Sequence, residues 1–513
     1  MISVPGTPAP APLQLDRLDL HAFAGRPVAV LGLARSGVAL CRFLADRGAT
    51  VTAYDARPAT QLADEVARLG GRPVRLLLGP EVDPAQALAG QSLICTSPSI
   101  SSRYPTTEPR LRAALGRLEA EGRVPVVSEV DLFLRLSPAT TVGVSGTKGK
   151  TTTASLVAAV LERGTSPVLL GGNIGTPLIE RLPELTPGHR VVLELSELQL
   201  PTLSRGTDVA VFTHVTSDHL DRHGTVEAYR AAKRRLAELT PAAGRLVLNA
   251  EDPVVSAYAA AGPADAVLYR RDDPLPGGVG VREDWIVADA VERLPAAGGG
   301  AAGTGPGGRI LPLGEVLLPG AHNTSNVLAA VAVGLLFGVA PDAIRAAIGA
   351  FAGVEHRLET VAALGGVVFV NDSMATQPDA VIAALRSFEP PIVLIAGGRT
   401  KGVPLNDLAA EVARRVRAVV LIGETADEMA VAFGQAGVAQ IERATDMHDA
   451  VERADALARR ARRAARGGPA TVLLSPAAAS FDMYVDYADR GQAFKEAVNR
   501  LVERGPGPEE GEQ

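Results

Sequence analysis

The chain is poor in cysteine, in aromatic residues and in basic charge, and each shortage removes a class of answers. Only Cys41 and Cys95 occur in 513 residues. They lie far apart, in apolar contexts and without metal-type spacing, which excludes a disulfide framework and predicts core thiols in a reducing compartment. Aromatics make up 4% of the chain and hydrophobic residues 47%, so alanine, valine and leucine must carry the packing. Lys and Arg number 51 against 57 Asp and Glu, a net charge of -6. That argues against nucleic acid as the main partner and still allows a local basic pocket for an anion. A membrane-length apolar run is also lacking: the longest, residues 327–340, is too short to span and reads as a buried helix. Met1 to Pro12 is Pro/Ala-rich, with neither a basic start nor an apolar core, and does not read as a signal peptide. These features predict a cytoplasmic protein without membrane attachment.

What is present is a polyphosphate cradle. The β-branched run Thr140-Thr141-Val142 leads into Gly143-Val144-Ser145-Gly146-Thr147-Lys148-Gly149-Lys150-Thr151-Thr152, and an apolar helical stretch follows from Ala154. A strand, a Gly-rich turn and a helix N-terminus aim several backbone N–H groups at one point. Lys150 can reach the β/γ-phosphates, and the Thr151 hydroxyl can ligate Mg²⁺. A strict Walker A loop has glycine five residues before Gly149, where this chain has Val144. The site is a variant nucleotide-triphosphate loop.

The length predicts about three domains, and the pattern predicts an α/β fold throughout. Residues 1–128 read as a Rossmann-like unit. Strand Val28 to Leu31 is followed by Gly32-Leu33-Ala34-Arg35-Ser36-Gly37 and a helix, and a second strand ends in Asp55-Ala56-Arg57. Ala34 replaces the second glycine of the dinucleotide fingerprint, and Arg57 adds a cation that a ribose-only site does not need. A uracil or phosphate binder fits as well as a nicotinamide cofactor. Residues 129–353 hold the P-loop and further βα units, interrupted by a Gly/Pro/Ala-rich surface insertion, 274–308, with one short strand at Trp285-Ile286-Val287. Residues 354–513 alternate again, with parallel strands at 367–370, 392–395, 418–422 and 471–474, and an acidic tail from Gly505 expected to be disordered. The run Arg459, Arg460, Arg462, Arg463 and Arg466 reads as a solvated helix face.

Polar clusters interrupt the apolar strands at their C-terminal ends, where open α/β sheets place ligands. Glu194 follows Val191-Val192-Leu193, where it can hold the Mg²⁺ of a nucleotide bound at the P-loop. The segment Thr213 to Asp221 offers imidazole and carboxylates, including His219, that suit a divalent ion. Lys233, by itself, is one cation on an Arg-rich helix.

Read in order, these pieces resemble the Mur ligase family. The resemblance runs from Arg26 to about Val502 and rests on many short motifs: Ser145 to Thr151, Gly171-Gly172-Asn173-Ile174-Gly175, Asp218 to Arg222, Tyr229 to Lys233, Gly320 to Asn326, His356-Arg357-Leu358-Glu359, Asn371-Asp372-Ser373, Lys401-Gly402 and Leu474 to Ala477. Ala479-Ser480-Phe481-Asp482 with Arg490-Gly491, and the Rossmann-like front, are typical of the D-glutamate-adding members. The resemblance implies an ATP-dependent, peptidoglycan-building amide ligase that joins D-glutamate to the carboxylate of UDP-N-acetylmuramoyl-L-alanine through an acyl phosphate, acting as a monomer. It implies that Gly146, Thr147, Lys148, Gly149, Lys150, Thr151, Thr152, Asn323, Asn326, Arg357 and Asp372 bind ATP. Thr151, Glu194, His219 and Lys233 would serve two Mg²⁺ ions, Lys233 as a carbamate made with CO₂. Ser36, Asp55, Arg57, Asn173 and Gln199 would hold the UDP substrate, and Thr376, Lys401, Ser480 and Tyr487 the D-glutamate. Lys150, His219, Lys233 and Asp372 would be catalytic. Three departures stand out: Glu197-Leu198 where the family commonly has Ser-Phe, Met374 where it has lysine, and Ser99 where it has glycine. Alternatives are a Mur-type ligase for another amino acid and a P-loop regulatory ATPase with degenerate ligase activity.

Overall fold

The computed structural model describes residues 11–216, 223–400, 403–465 and 468–505. His219, Lys401 and the acidic tail beyond Gly505 lie outside them. The chain is α/β, with three parallel-rich sheets. The first holds β1 (Pro27–Leu31), β2 (Thr50–Asp55), β3 (Val74–Leu78), β4 (Leu93–Thr96) and β5 (Val126–Ser128), in the order β3-β2-β1-β4-β5. Every pairing in it is parallel. Gly32 and Gly37 set the turn after β1: a Cβ on Gly37 would stand 1.8 Å from the Gly32 carbonyl oxygen, so only glycine lets the helix Arg35–Ala45 start there.

The second sheet contains β6 (Thr140–Ser145), β7 (Val168–Gly172), β8 (Arg190–Glu194), β9 (Val209–Phe212), β10 (Arg245–Asn249), β11 (Asp265–Tyr269), β12 (Val279–Arg282), β13 (Trp285–Ala288) and β14 (Arg309–Pro312). Its nine strands run β14-β13-β12-β11-β10-β9-β6-β8-β7. The insertion is therefore more than a loop with one strand. β12 and β13 form an antiparallel hairpin, and β14 adds to it, extending the sheet. Glu283 and Asp284 make its two-residue turn with φ of 50° and 60°. Such turns ordinarily carry Asn-Gly, so the sequence shows no hairpin signal here. The apolar run of 327–340 lies mostly in the helix Ala321–Leu336, whose residues from Asn326 onward are all buried.

These first two sheets fall in one compact unit, Met1–Ala352; the third sheet is in a second unit, Gly353–Gln513. Within the first unit, the helix Glu129–Leu136 that follows β5 meets the short turn Leu178–Glu180 beyond β7. The Glu129 carboxylate accepts the Ile179 N–H at 2.9 Å, and Arg42 pairs with Glu180 at 3.1 Å. Burial pushes the Glu129 carboxyl up to about 7. A raised carboxyl costs stability once ionised, so this group's contribution is full below its ordinary value and is lost as pH rises through about 7. Glu129→Gln keeps an acceptor for Ile179. It is expected to raise the melting temperature at pH 8 by an amount worth about 2–3 kcal/mol relative to pH 4.5, read by paired thermal melts.

The third sheet has β15 (Glu359–Leu364), β16 (Val367–Asn371), β17 (Ile392–Gly397), β18 (Val416–Ile422), β19 (Ile441–Arg443) and β20 (Ala470–Leu474), ordered β15-β16-β20-β17-β18-β19. β15 alone is antiparallel, joined to β16 through Gly365 and Gly366. Arg459, Arg460, Arg462 and Arg463 end the helix Met447–Ala464, with Arg459 on Asp455 at 2.8 Å and Arg462 on backbone carbonyls; Arg466 lies outside the described residues. Cys41 and Cys95 are free and buried, and burial pushes the Cys41 thiol up to about 12 and Cys95 higher still. Among the described residues, no helix is long and apolar enough to cross a membrane.

Candidate active site

β6 delivers the P-loop at the C-terminal end of the central sheet. Val144 sits inside this strand, fully buried, so the position where a strict motif has glycine is core here and the turn begins two residues later. Gly146 takes φ 151°, and a Cβ on it would stand 2.0 Å from Thr213 Oγ1; Gly149 takes φ 85°, and its Cβ would stand 2.7 Å from Asn326 Oδ1. Gly149 caps the helix Lys150–Leu161, whose first N–H groups open toward the loop. Thr147 is buried, its hydroxyl 2.9 Å from Tyr229 Oη and accepting the Thr216 N–H. Lys148 is exposed, with its carbonyl accepting from Thr213 Oγ1 at 2.6 Å, and Thr152 is half-buried in the first helical turn.

Side chains from several elements converge on this loop. Thr151 donates its hydroxyl to Glu194 Oε2 at 2.6 Å, and Asn173 Nδ2 donates to Glu194 Oε1 at 2.9 Å. Glu194 reaches them because β8 lies beside β6, with Val144 opposite Glu194. Lys150 Nζ donates to the carbonyls of Gly146 and Thr147, each at 3.1 Å. Lys233 donates to the same Gly146 carbonyl at 2.9 Å and lies 4.8 Å from the Tyr229 ring centroid. It is fully buried, on the inward face of the helix Val226–Leu239 with Tyr229, Leu236 and Ala237. Its neighbours Arg230, Arg234 and Arg235 disguise that face in the sequence.

Beside the loop is a cleft of about 490 Å³, lined by Lys148, Gly149, His214, Asn249, Arg271 and Asn326 among others. Asn326 Nδ2 donates to Asn323 Oδ1, and Asn323 in turn anchors to the Pro319 carbonyl, so Asn323 supports the wall and Asn326 faces the cleft. His214, within the ligand-bearing segment Thr213 to Asp221, pairs with Asp252 at 2.6 Å, a partner the sequence does not indicate, and Asn249 and Arg271 are further lining residues without a sequence assignment. Asn249 ends the apolar β10, the same polar-after-strand signal that marked Glu194. Among the described residues no group of three or more His, Cys, Asp or Glu could hold a metal.

In the front sheet, Asp55 accepts the Leu33 N–H and is chelated by Arg57 Nε and Nη2, at 3.1 and 2.8 Å. The cation beside β2 is thus neutralised locally. A cavity of about 320 Å³ opens there, lined by Tyr54, Asp55, Ser99, Thr106, Thr107 and Glu108 among others; Ser36 and Arg57 are not in its lining. Ser36 stands in the first turn of helix Arg35–Ala45. Gln199 is buried, its Oε1 accepting the Ser196 N–H and hydroxyl.

The second unit gathers its own cluster at the ends of β16 and β20. Asp372 accepts the Ser475 hydroxyl at 2.8 Å and the Leu358 N–H at 3.2 Å. Burial pushes its carboxyl up to about 6, outweighing those bonds and the Arg357 charge, which pull it down. If ionised Asp372 serves ATP, kcat/KM for ATP falls below an acid limb near pH 6, and Asp372→Asn removes that limb. Met374 and Thr376 are half-buried on the following loop, and Ser480 is buried after β20. Tyr487 opens the helix Tyr487–Arg504, its carbonyl accepting the Ser373 hydroxyl at 2.7 Å.

The chain matches two family models, Mur ligase middle domain over residues 144–334 and Mur ligase, glutamate ligase domain over 356–478. It is 42% identical to the UDP-N-acetylmuramoylalanine--D-glutamate ligase of Symbiobacterium thermophilum, covering 92% of this chain and 98% of that protein. The proteins of the same name from Roseiflexus sp. and Koribacter versatilis are 38% and 37% identical; the matches span 93% and 94% of this chain, and 99% and 98% of theirs. Motifs read one by one along the sequence thus coincide with similarity over nearly its whole length: the chain belongs to the Mur ligase family.

Proposed function

We propose that the protein uses ATP to join D-glutamate to the L-alanyl carboxylate of UDP-N-acetylmuramoyl-L-alanine, a step of peptidoglycan synthesis. The observation that carries this most directly is the convergence of Thr151, Glu194, Lys150 and Lys233 on one turn of backbone. Near-full-length similarity to D-glutamate ligases supports the choice of amino acid. On this reading residues 1–128 take the UDP substrate, 129–353 take ATP and 354–513 take the amino acid. The protein works as a monomer in the cytoplasm, where ATP is made.

A carboxylate does not condense with an amine in water until its oxygen becomes a leaving group. The acceptor carboxylate oxygen attacks the γ-phosphorus, and the bond from that phosphorus to the ADP oxygen breaks. The neutral amine of D-glutamate then adds to the acyl carbon, phosphate departs, and the nitrogen loses a proton. Every reactant except the amine is anionic, so the protein's work is alignment and neutralisation. Lys150, swinging from the Gly146 carbonyl, meets the β/γ-phosphates, and the loop N–H groups hold their oxygens. The hydroxyl of Thr151 against the carboxylate of Glu194 is a hard-oxygen pair, the donor chemistry Mg²⁺ takes. Those two would hold one ion, with His219 and a Lys233 carbamate serving a second. Bound there, Mg²⁺ supplies charge neutralisation to the phosphates.

The test is phosphate release with an amino-acid panel of D-glutamate, L-alanine, glycine and diaminopimelate. Release that requires both the UDP acceptor and D-glutamate is expected. Acceptor-independent hydrolysis overturns the reading in favour of a regulatory ATPase, and preference for another amino acid overturns the choice of substrate.

A further inference from the structure

Arg490 is a charged group buried inside the second unit. It lies in the first turn of the helix Tyr487–Arg504 and is 1% exposed. Its fork is fully directed: Nε donates to Ser373 Oγ at 3.0 Å, Nη2 to the Ser373 carbonyl at 3.0 Å and Nη1 to the Ala478 carbonyl at 3.1 Å. All three acceptors are neutral. Asp482 pulls on the charge only through space. Burial lowers the guanidinium to about 10, which leaves it a cation at neutral pH. A buried cation bonded only to neutral oxygens is costly unless an anion joins it.

Those acceptors sit on two different loops. Ser373 directly follows Asp372 and leads into Met374-Ala375-Thr376, after β16; Ala478 leads into Ala479-Ser480, after β20. Space for the fork is reserved: a Cβ on Gly398 would come within 3.1 Å of Nη1 and 2.1 Å of the Ala479 carbonyl oxygen. No lysine can reproduce three divergent N–H bonds in one plane. The chain also has Met374 on the first of these loops, so a residue that brings positive charge to both loops from behind has an evident use.

We propose that Arg490 is a positioning residue for the amino-acid substrate: it fixes the spacing between the Ser373 and Ala478 loops, and its charge, hydrogen-bonded to no carboxylate, makes that spacing selective for a dianionic amino acid. This rests on the D-glutamate reading above, and wild-type activity tests that reading separately.

The experiment compares Arg490→Met and Arg490→Lys with wild type by steady-state kinetics in all three substrates, alongside thermal melts. Arg490→Met is expected to raise KM for D-glutamate at least tenfold while KM for ATP and for the UDP acceptor stay within twofold. Arg490→Lys is expected to recover most of the D-glutamate KM but not kcat, because it restores the charge without the fork. Equal rises in all three KM values, or an unchanged D-glutamate KM in a folded Arg490→Met, overturn the proposal. If Arg490→Met does not fold, Arg490→Lys decides: wild-type kcat and KM together overturn it, and a lowered kcat with near-wild-type KM supports it. Failure of wild type itself to use D-glutamate overturns the functional reading instead.

Discussion

Lys150→Met is expected to lower kcat by about 10²–10³ while leaving the melting temperature nearly unchanged. The ammonium is half-buried at the first residue of its helix, and its Nζ contacts two loop carbonyls. A methionine of similar length keeps the stem packing and removes the charge. On the proposed mechanism, what is lost is neutralisation of the phosphates, whose negative charge shifts toward the leaving ADP oxygen as the acyl phosphate forms. KM for ATP should rise less than kcat falls, because charge redistribution is greatest in the transition state. Lys150→Arg is not a conservative rescue, since a planar fork cannot occupy the space between the Gly146 and Thr147 carbonyls as a point charge does. Initial-rate kinetics of phosphate release at saturating acceptor measure it. A loss under tenfold in Lys150→Met would remove the loop lysine from the chemistry.

Lys233→Met should cost as much by a different route. The side chain is fully buried beneath the P-loop, on the Gly146 carbonyl. A methionine of similar volume fills the space of the lysine stem, and a folded, inactive variant is the expected outcome, with kcat down by about 10²–10³. Lys233→Arg separates two meanings of that loss. A guanidinium preserves positive charge but cannot take up CO₂ to become an anionic oxygen ligand. If charge alone matters, arginine restores activity; if the carbamate matters, it does not, and wild-type turnover declines in CO₂-depleted buffer. Recovery in Lys233→Arg together with indifference to CO₂ would end the carbamate assignment.

Much of the architecture could be read in advance because its strands are buried on both faces. β17 and β20 are buried at every position, so they appear as unbroken apolar runs. The P-loop was equally plain, since Gly146 and Gly149 must be glycine for steric reasons that leave a fixed spacing. Lys233 was different. Its helix carries Arg230, Arg234 and Arg235, and local pattern alone cannot say which cation turns inward; only the family resemblance singled it out. The β12–β13 hairpin was hidden because Glu283-Asp284 supplies a turn without the usual residues. β15 had its Gly365-Gly366 signal but few bulky residues to mark it as a strand. The His214–Asp252 contact joins residues 38 apart that meet only because β9 and β10 are neighbours, so no local motif records it.

The hairpin and β14 have a consequence for colloidal behaviour. Without them the sheet would stop at β11, a strand whose outer N–H and C=O groups would form a template for another chain. With them it stops at β14, four residues long, which starts at Arg309 and finishes at Pro312. A short border closed by a residue with no N–H to donate is a poor seed for strand-to-strand aggregation. The glycine-rich interruption thus turns that border of the central sheet from a pairing template into a blunt end.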